Sequence, residues 1–291
     1  MSSAASARVF AADLLVHAAA VLARAGIDES RFEASLILAQ AAGVPRAHVL
    51  SASLEPDDAA TARFYAILER RVAREPLAYI VGHKEFFSLE LDVTPAVLIP
   101  RPETETLVET ALGLLQARKS ARVLDLGTGS GAIAVALACN APDASILATD
   151  ISADALAVAR GNARRHGVEA RIEFRLGSWF EPLRESPLPQ PFDLIVSNPP
   201  YVEDAALASL APEVARFEPR IALAGGRDGL DSYRAIAASV RDWLAPGGDL
   251  LLEIGAGQHL EVTDILVRAE LTLVDVINDL SGIPRVVHAR G

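Results

Sequence analysis

Val123-Leu124-Asp125-Leu126-Gly127-Thr128-Gly129-Ser130-Gly131 is an apolar run that breaks into alternating glycines, and residues 132–138 behind it carry a helical pattern. A strand that ends in such a turn and restarts as a helix is the opening unit of an α/β fold. The glycines let the main chain take positive φ and pass close to a ligand, where a Cβ would obstruct it. An ordinary tight turn or a dinucleotide site also places glycine after a strand. The spacing G-x-G-x-G differs from the G-x-G-x-x-G of nicotinamide and flavin sites. It suits the amino-acid end of S-adenosylmethionine, whose product would be S-adenosylhomocysteine. Gly127, Thr128, Gly129, Ser130 and Gly131 form the candidate cofactor loop.

Downstream of this unit, short apolar or β-rich runs at 146–149, 172–174, 194–196, 250–254, 271–276 and 285–288 alternate with helical patterns and loops. With residues 123–126 they make seven strands, and their alternation with helices predicts a mainly parallel sheet covered on both faces. Ligands of such sheets bind at the carboxyl ends of the strands, beside the point where strand order reverses.

Three further residues fit that position. Asp150 ends the second strand 19 residues after Gly131, close to the spacing of roughly 20 at which an acidic side chain accepts hydrogen bonds from ribose hydroxyls; a plain turn residue is the alternative. Ser152 is placed to cap the next helix. Trp179 follows the third strand, where an aromatic can pack on adenine or serve only the core. Asp125 stands where it could meet the cofactor's ammonium or act structurally.

Asn198-Pro199-Pro200-Tyr201 ends the fourth strand. An amide or exocyclic amino nitrogen is a poor nucleophile because its lone pair is delocalised. A site for methylating it must accept hydrogen bonds from its N–H groups as it gains positive charge. The Asn198 side-chain oxygen and the Pro199 carbonyl can be these acceptors, the prolines stiffen the loop, and Tyr201 can pack on the flat acceptor group. A proline-rich turn is the bland alternative.

Upstream, residues 8–75 repeat apolar positions at spacings of three and four with breaks at 26–28, 43–45 and 55–58, which predicts a bundle of four or five helices. Residues 86–93 alternate in part and precede Pro95, predicting a hairpin. Thr106 and Glu109 have the form of a capping box. The resulting division is a helical domain over 1–75, a hairpin linker over 76–100 and a catalytic domain over 101–291.

Half of the residues are apolar and 22% are charged, which allows a sizeable core. The formal charge of −11 is uneven: residues 1–75 hold 8 basic and 9 acidic side chains, leaving 19 basic against 29 acidic in 76–291. Such a surface works against gripping bare nucleic acid, so a protein or small-molecule substrate is expected. Cys139 is the single cysteine, which excludes an intrachain disulfide, and neither cysteines nor the six histidines offer metal-ligand spacing. The N-terminus has no signal-peptide pattern and no apolar run reaches membrane-spanning length; a soluble cytoplasmic protein with no metal and no membrane partner is expected.

The chain resembles the HemK/PrmC family of protein-glutamine N5-methyltransferases. The resemblance spans nearly all of it. It rests on Pro76, Tyr79, Ile80, Gly82, Glu85 and Phe86; on Leu98, Pro100, Arg101, Pro102, Glu103, Thr104 and Glu105; on 198–201; and on Glu218, Pro219, Arg220, Ala222, Leu223, Gly225, Gly226, Asp228, Gly229 and Leu230. It implies a class I S-adenosylmethionine-dependent methyltransferase with a Rossmann-like sheet and an N-terminal helical domain. It also implies that 127–131, Asp150, Trp179 and Asn198 bind the cofactor. Asn198, Pro199, Pro200 and Tyr201 would bind the glutamine of the G-G-Q motif of a peptide-chain release factor, which the N-terminal helices help to dock. Ser178 departs from the Asp that some members carry before the aromatic pair. The N-P-P-Y element also occurs in nucleic-acid amino-methyltransferases, which flip a base into the same pocket; that is the competing expectation.

Overall fold

The computed structural model describes residues 10–51, 54–184 and 191–291. The helical reading of residues 8, 9, 52 and 53 lies outside them. The chain forms two compact units, Met1–Val81 and Gly82–Gly291.

Among the described residues the first unit is a bundle of five helices: α1 (Ala11–Arg24), α2 (Ser30–Ala42), α3 (Arg46–Leu50), α4 (Asp58–Val72) and α5 (Leu77–Val81). Gly43 ends α2 in the left-handed conformation, and the Asp57 carboxylate caps α4 by accepting the Ala60 N–H at 2.6 Å. Leu14, Ala18 and Leu22 of α1 pack on Ile37, Leu38, Phe64 and Leu68, the buried stripe that the spacing of three and four predicts.

The second unit opens with a hairpin, β1 (His83–Phe86) and β2 (Leu89–Asp92). Phe87 and Ser88 turn it with φ of 52° and 60°, the left-handed pair of a tight hairpin. It is followed by α6 (Glu105–Leu115), β3 (Arg122–Leu126), α7 (Ala132–Asn140), β4 (Ser145–Asp150), α8 (Ala153–Arg165), β5 (Ile172–Leu176) and β6 (Phe192–Ser197). The chain ends with α9 (Pro212–Phe217), α10 (Asp231–Ala237), β7 (Leu244–Glu253), α11 (His259–Arg268), β8 (Thr272–Asn278) and β9 (Pro284–Arg290). The seven strands after the hairpin form one sheet in the order β5-β4-β3-β6-β7-β9-β8. All neighbours are parallel except at β9, which runs against both β7 and β8.

Both faces of the sheet are covered, so its central strands alternate between two cores. Val123, Leu194 and Val196 join the core containing α6 and α7, while Leu124, Leu126 and Ile195 join the one containing α10 and α11. The hairpin is fastened to α8 through Asn162, which is fully buried. Its side-chain oxygen accepts the Asp92 N–H at 2.7 Å, and its nitrogen donates to the Asp92 carbonyl at 3.0 Å and the Ser130 carbonyl at 2.8 Å. The capping box expected at Thr106 does not form: a 3-10 turn over Pro102–Thr104 leads directly into α6 at Glu105, and Thr106 lies inside the helix. Among the described residues no helix is long and apolar enough to cross a membrane.

The chain builds β3, β4 and β5 in one direction and then returns to β3's other side for β6, so strand order reverses between β3 and β6. Their register pairs Leu126 with Ser197. The glycine loop and the Asn-Pro segment therefore leave the sheet side by side.

Candidate active site

At that point lies a cleft of about 270 Å³, lined on one part by residues of the glycine loop with Asp150, Ser178 and Trp179, and on another by Arg101, Thr104, Asn198, Pro200 and Ile221. The glycine loop is shaped by its own main chain. The N–H groups of Gly127 and Thr128 both donate to the Thr149 carbonyl at 2.9 Å, and the Gly131 N–H returns to the Thr128 carbonyl at 2.8 Å. Gly127, Gly129 and Gly131 have φ of 70°, 56° and 80°, which L side chains rarely adopt. A Cβ on Gly131 would also lie 3.0 Å from the Ala159 Cβ, so glycine is what lets α7 start against α8.

Asp150 is fastened from both sides. Its Oδ2 accepts the Gly129 N–H and its Oδ1 the Ser152 N–H, each at 2.8 Å. Burial is the largest influence on its pKa and raises it, and these two bonds oppose the rise. Each oxygen keeps a lone pair for hydroxyl donors in the cleft. Ser152 caps α8 as expected, accepting the Ala155 N–H at 3.1 Å.

Asp125 sits deeper. It is fully buried, it accepts the Thr128 hydroxyl at 2.6 Å, and it lies outside the cleft lining. Its place is that of a brace beneath the loop, in contrast to the ammonium contact open to it from sequence. Burial pushes its carboxyl up to about 7, and the nearby charge of Asp150 adds to the rise. Trp179 lines the cleft, packs on the second core and holds a φ of 45°, with its carbonyl accepting the Thr149 hydroxyl at 3.2 Å.

The Asn-Pro segment is held differently, by side chains from distant parts of the unit. The Asn198 side-chain nitrogen donates to the Thr104 hydroxyl oxygen at 3.1 Å. Both residues line the cleft, and the bond leaves the Asn198 oxygen free of the Thr104 hydroxyl. The Ser232 hydroxyl donates to the Pro200 carbonyl at 2.9 Å, and the Gln258 amide nitrogen donates to the Tyr201 carbonyl at 3.1 Å. Val202 bonds through its N–H to Leu223 and through its carbonyl to Gly225, at 2.9 and 2.8 Å. The Pro199 carbonyl receives no hydrogen bond among the described residues. Pro199 and Tyr201 stand outside the lining. The Tyr201 ring packs on the second core and its hydroxyl faces the Glu253 carboxylate at 3.5 Å; burial pushes that phenol up to about 12.

Sequence reading did not single out Thr104, Ser232, Gln258 or Glu253 for this scaffold. Thr104 had a signal in its neighbours Arg101 and Glu103, while Ser232 and Gln258 are single polar residues with none. Arg101 donates to the buried Glu218 carboxylate at 2.5 Å, and the Ile99 N–H reaches its second oxygen at 3.2 Å. This pair ties the stretch at 98–105 to the one at 218–230.

Residues 13–82 match the model of the PrmC N-terminal domain and residues 117–253 that of a methyltransferase domain. The chain is 48% identical to the release factor glutamine methyltransferase of Cereibacter sphaeroides, covering 96% of this chain and 98% of that protein. The chain belongs to the release factor glutamine methyltransferase family. Another member, from Geobacter sulfurreducens, is 45% identical over 92% of both chains. Among solved structures, a methyltransferase from Pyrococcus furiosus aligns with a TM-score of 0.51 at 17% identity, covering 79% of this chain and 98% of that one. The hMettl16 catalytic domain aligns with a TM-score of 0.56 at 15% identity, covering 73% and 80%. These two likenesses concern the fold alone, the Rossmann-like methyltransferase sheet described above.

Proposed function

We propose that this chain transfers the methyl group of S-adenosylmethionine to the side-chain amide nitrogen, N5, of the glutamine in the G-G-Q motif of peptide-chain release factors, in the cytoplasm. Family membership over nearly the whole length supports the substrate class. The observation that carries the chemistry is the register of Leu126 with Ser197, which sets the glycine loop beside Asn198 in one cleft.

S-adenosylmethionine, when bound, supplies an electrophilic methyl on a sulfonium. In this reading the glycine loop receives its amino-acid end on open main chain, Asp150 accepts from the ribose hydroxyls, and Trp179 lies along the adenine. The Asn198 oxygen and the Pro199 carbonyl accept the two N–H groups of the target amide. Because both acceptors are fixed before reaction begins, they stabilise positive charge on the nitrogen with no reorganisation. Holding the nitrogen in line with the methyl group supplies much of the remaining acceleration. Pro200 and Tyr201 act by stiffening and anchoring the loop, and the helical unit helps dock the release factor.

Incubation with labelled cofactor and a release factor, followed by mass spectrometry, should place one added methyl group on a single glutamine. Label appearing only in nucleic acid would overturn the proposal.

A further inference from the structure

Two successive prolines leave the Asn-Pro segment with few handles. Pro199 and Pro200 carry no N–H, so the main chain there is held through its carbonyls, and that of Pro199 receives no hydrogen bond among the described residues. The next two carbonyls are taken by side-chain donors, Pro200 by the Ser232 hydroxyl at 2.9 Å and Tyr201 by the Gln258 amide at 3.1 Å. Gln258, at the N-cap of α11, does more than Ser232. Its Oε1 accepts the Gly255 N–H at 3.0 Å, and its Nε2 also reaches the Gly229 carbonyl at 3.5 Å. Two carbonyls and one N–H around a planar amide admit a single orientation, nitrogen toward residues 201 and 229 and oxygen toward 255. The space around it is full. A Cβ on Gly229, where φ is 75°, would lie 2.5 Å from the Tyr201 carbonyl oxygen and 2.7 Å from Gln258 Nε2. A Cβ on Gly255 would lie 2.7 Å from Gln258 Oε1 and 3.1 Å from Tyr201 Cδ2. Gly229 belongs to the stretch at 218–230, which the proposed chemistry leaves unused, and glycine here lets the backbone close on the amide.

We propose that Gln258 is a positioning residue for methyl transfer, which clamps the Tyr201 carbonyl against the turns at Gly229 and Gly255 and so fixes where the Asn198 and Pro199 acceptors stand. Gln258 does not line the cleft. It acts through the short main chain between the Tyr201 and Pro199 carbonyls, where the Pro200 ring fixes φ and leaves little freedom to absorb a shift. A misplacement of about 1 Å at a reacting group can cost on the order of 10²-fold in rate, so a bond two residues from the acceptor carbonyl reaches the chemistry. The cofactor side lies outside its influence, because the glycine loop and Asp150 are held by bonds of their own.

The inference rests on Asn198 and Pro199 as acceptors of the target amide, and Gln258→Glu tests it apart from that reading. The two side chains share one shape, but a carboxylate has no hydrogen to give the Tyr201 and Gly229 carbonyls, whereas a protonated carboxyl has one. With a release factor at saturating cofactor, Gln258→Glu should lower kcat about 30-fold at pH 8 relative to the wild type, and the deficit should shrink to about threefold at pH 5.5 as the new carboxyl takes up a proton. The titratable and charged groups beside its partners are Glu253 in β7, Arg285 in β9, Asp231 in α10, His259 in α11, Asp228 and the Tyr201 phenol. Both proteins carry them, so the ratio of the two rates isolates the new carboxyl. Gln258→Met, of similar volume and unable to protonate, should lose about tenfold at both pH values. In either variant KM for the release factor and the cofactor dissociation constant should move by less than about threefold, the pattern of lost transition-state positioning. In the wild type, the Gln258 side-chain NH2 should exchange with solvent more slowly than that of a free glutamine. A rate ratio that does not recover on acidification, or a folded Gln258→Met protein whose kcat stays within about twofold of the wild type, would overturn the inference. If neither variant folds, wild-type NH2 exchange at the free rate does the same. A wild type that methylates only nucleic acid would instead defeat the proposed function, and the same rate ratio would then be read on that substrate.

Discussion

The two sides of the cleft are held by opposite means. The glycine loop is shaped mainly by bonds within residues 127–152, with Asn162 of α8 added from just beyond, so most of what it needs is written in one stretch of chain. The Asn-Pro segment is four residues long but is held by Thr104, Ser232 and Gln258, which come from three separate elements. A side held locally is robust to changes elsewhere; a side held at a distance is as accurate as the fold that assembles it.

The largest test of this contrast is Asn198→Ala, which removes a preorganised acceptor where charge develops. It should lower the rate of methyl transfer by about 10²–10³-fold while weakening cofactor binding far less, measured by single-turnover kinetics alongside equilibrium binding. Asp150→Ala acts on the local side. It should raise the cofactor dissociation constant by about 10–30-fold, the loss of one or two hydrogen bonds to a charged acceptor, with the saturated rate nearly unchanged in calorimetric binding and steady-state assays. If the two variants exchanged these patterns, the assignment of the two sides would be reversed.

The smallest effect concerns the brace. Asp125 has a folded pKa near 7 against about 4 when unfolded, so the folded state binds more protons between those values and its stability falls as pH rises through them. Asp125→Asn removes that titration. Its stability relative to the wild type should therefore grow between pH 5 and pH 8, on the order of 1 kcal/mol once relaxation around the buried charge is allowed for, as read from denaturant unfolding at the two pH values. A gap that stays constant between pH 5 and pH 8 would mean that Asp125 is already ionised in the folded state there.

What the sequence made legible follows the same division. The strand, the glycine turn, Asp150 and the Ser152 cap are all local patterns, and the seven strands emerged because each is a compact apolar run. Thr106 misled because a 3-10 turn over Pro102–Thr104 starts the helix earlier, at Glu105, and leaves Thr106 inside it. The anchoring of Tyr201 was hidden for a related reason: its ring packs on the second core and its carbonyl accepts from Gln258, 57 positions away. The sequence left Asp125 open between an ammonium contact and a structural role; it is fully buried on β3 and bonds Thr128.

Asn162 joins pieces that the chain itself keeps far apart. One planar amide commits both of its N–H groups and its oxygen to the hairpin backbone at Asp92 and to Ser130 in the glycine turn. With both ends latched to the same small plate, neither can tilt without straining the other, and the hairpin and the floor of the cofactor loop are mechanically one part. The loop, for all its glycines, is clamped in place.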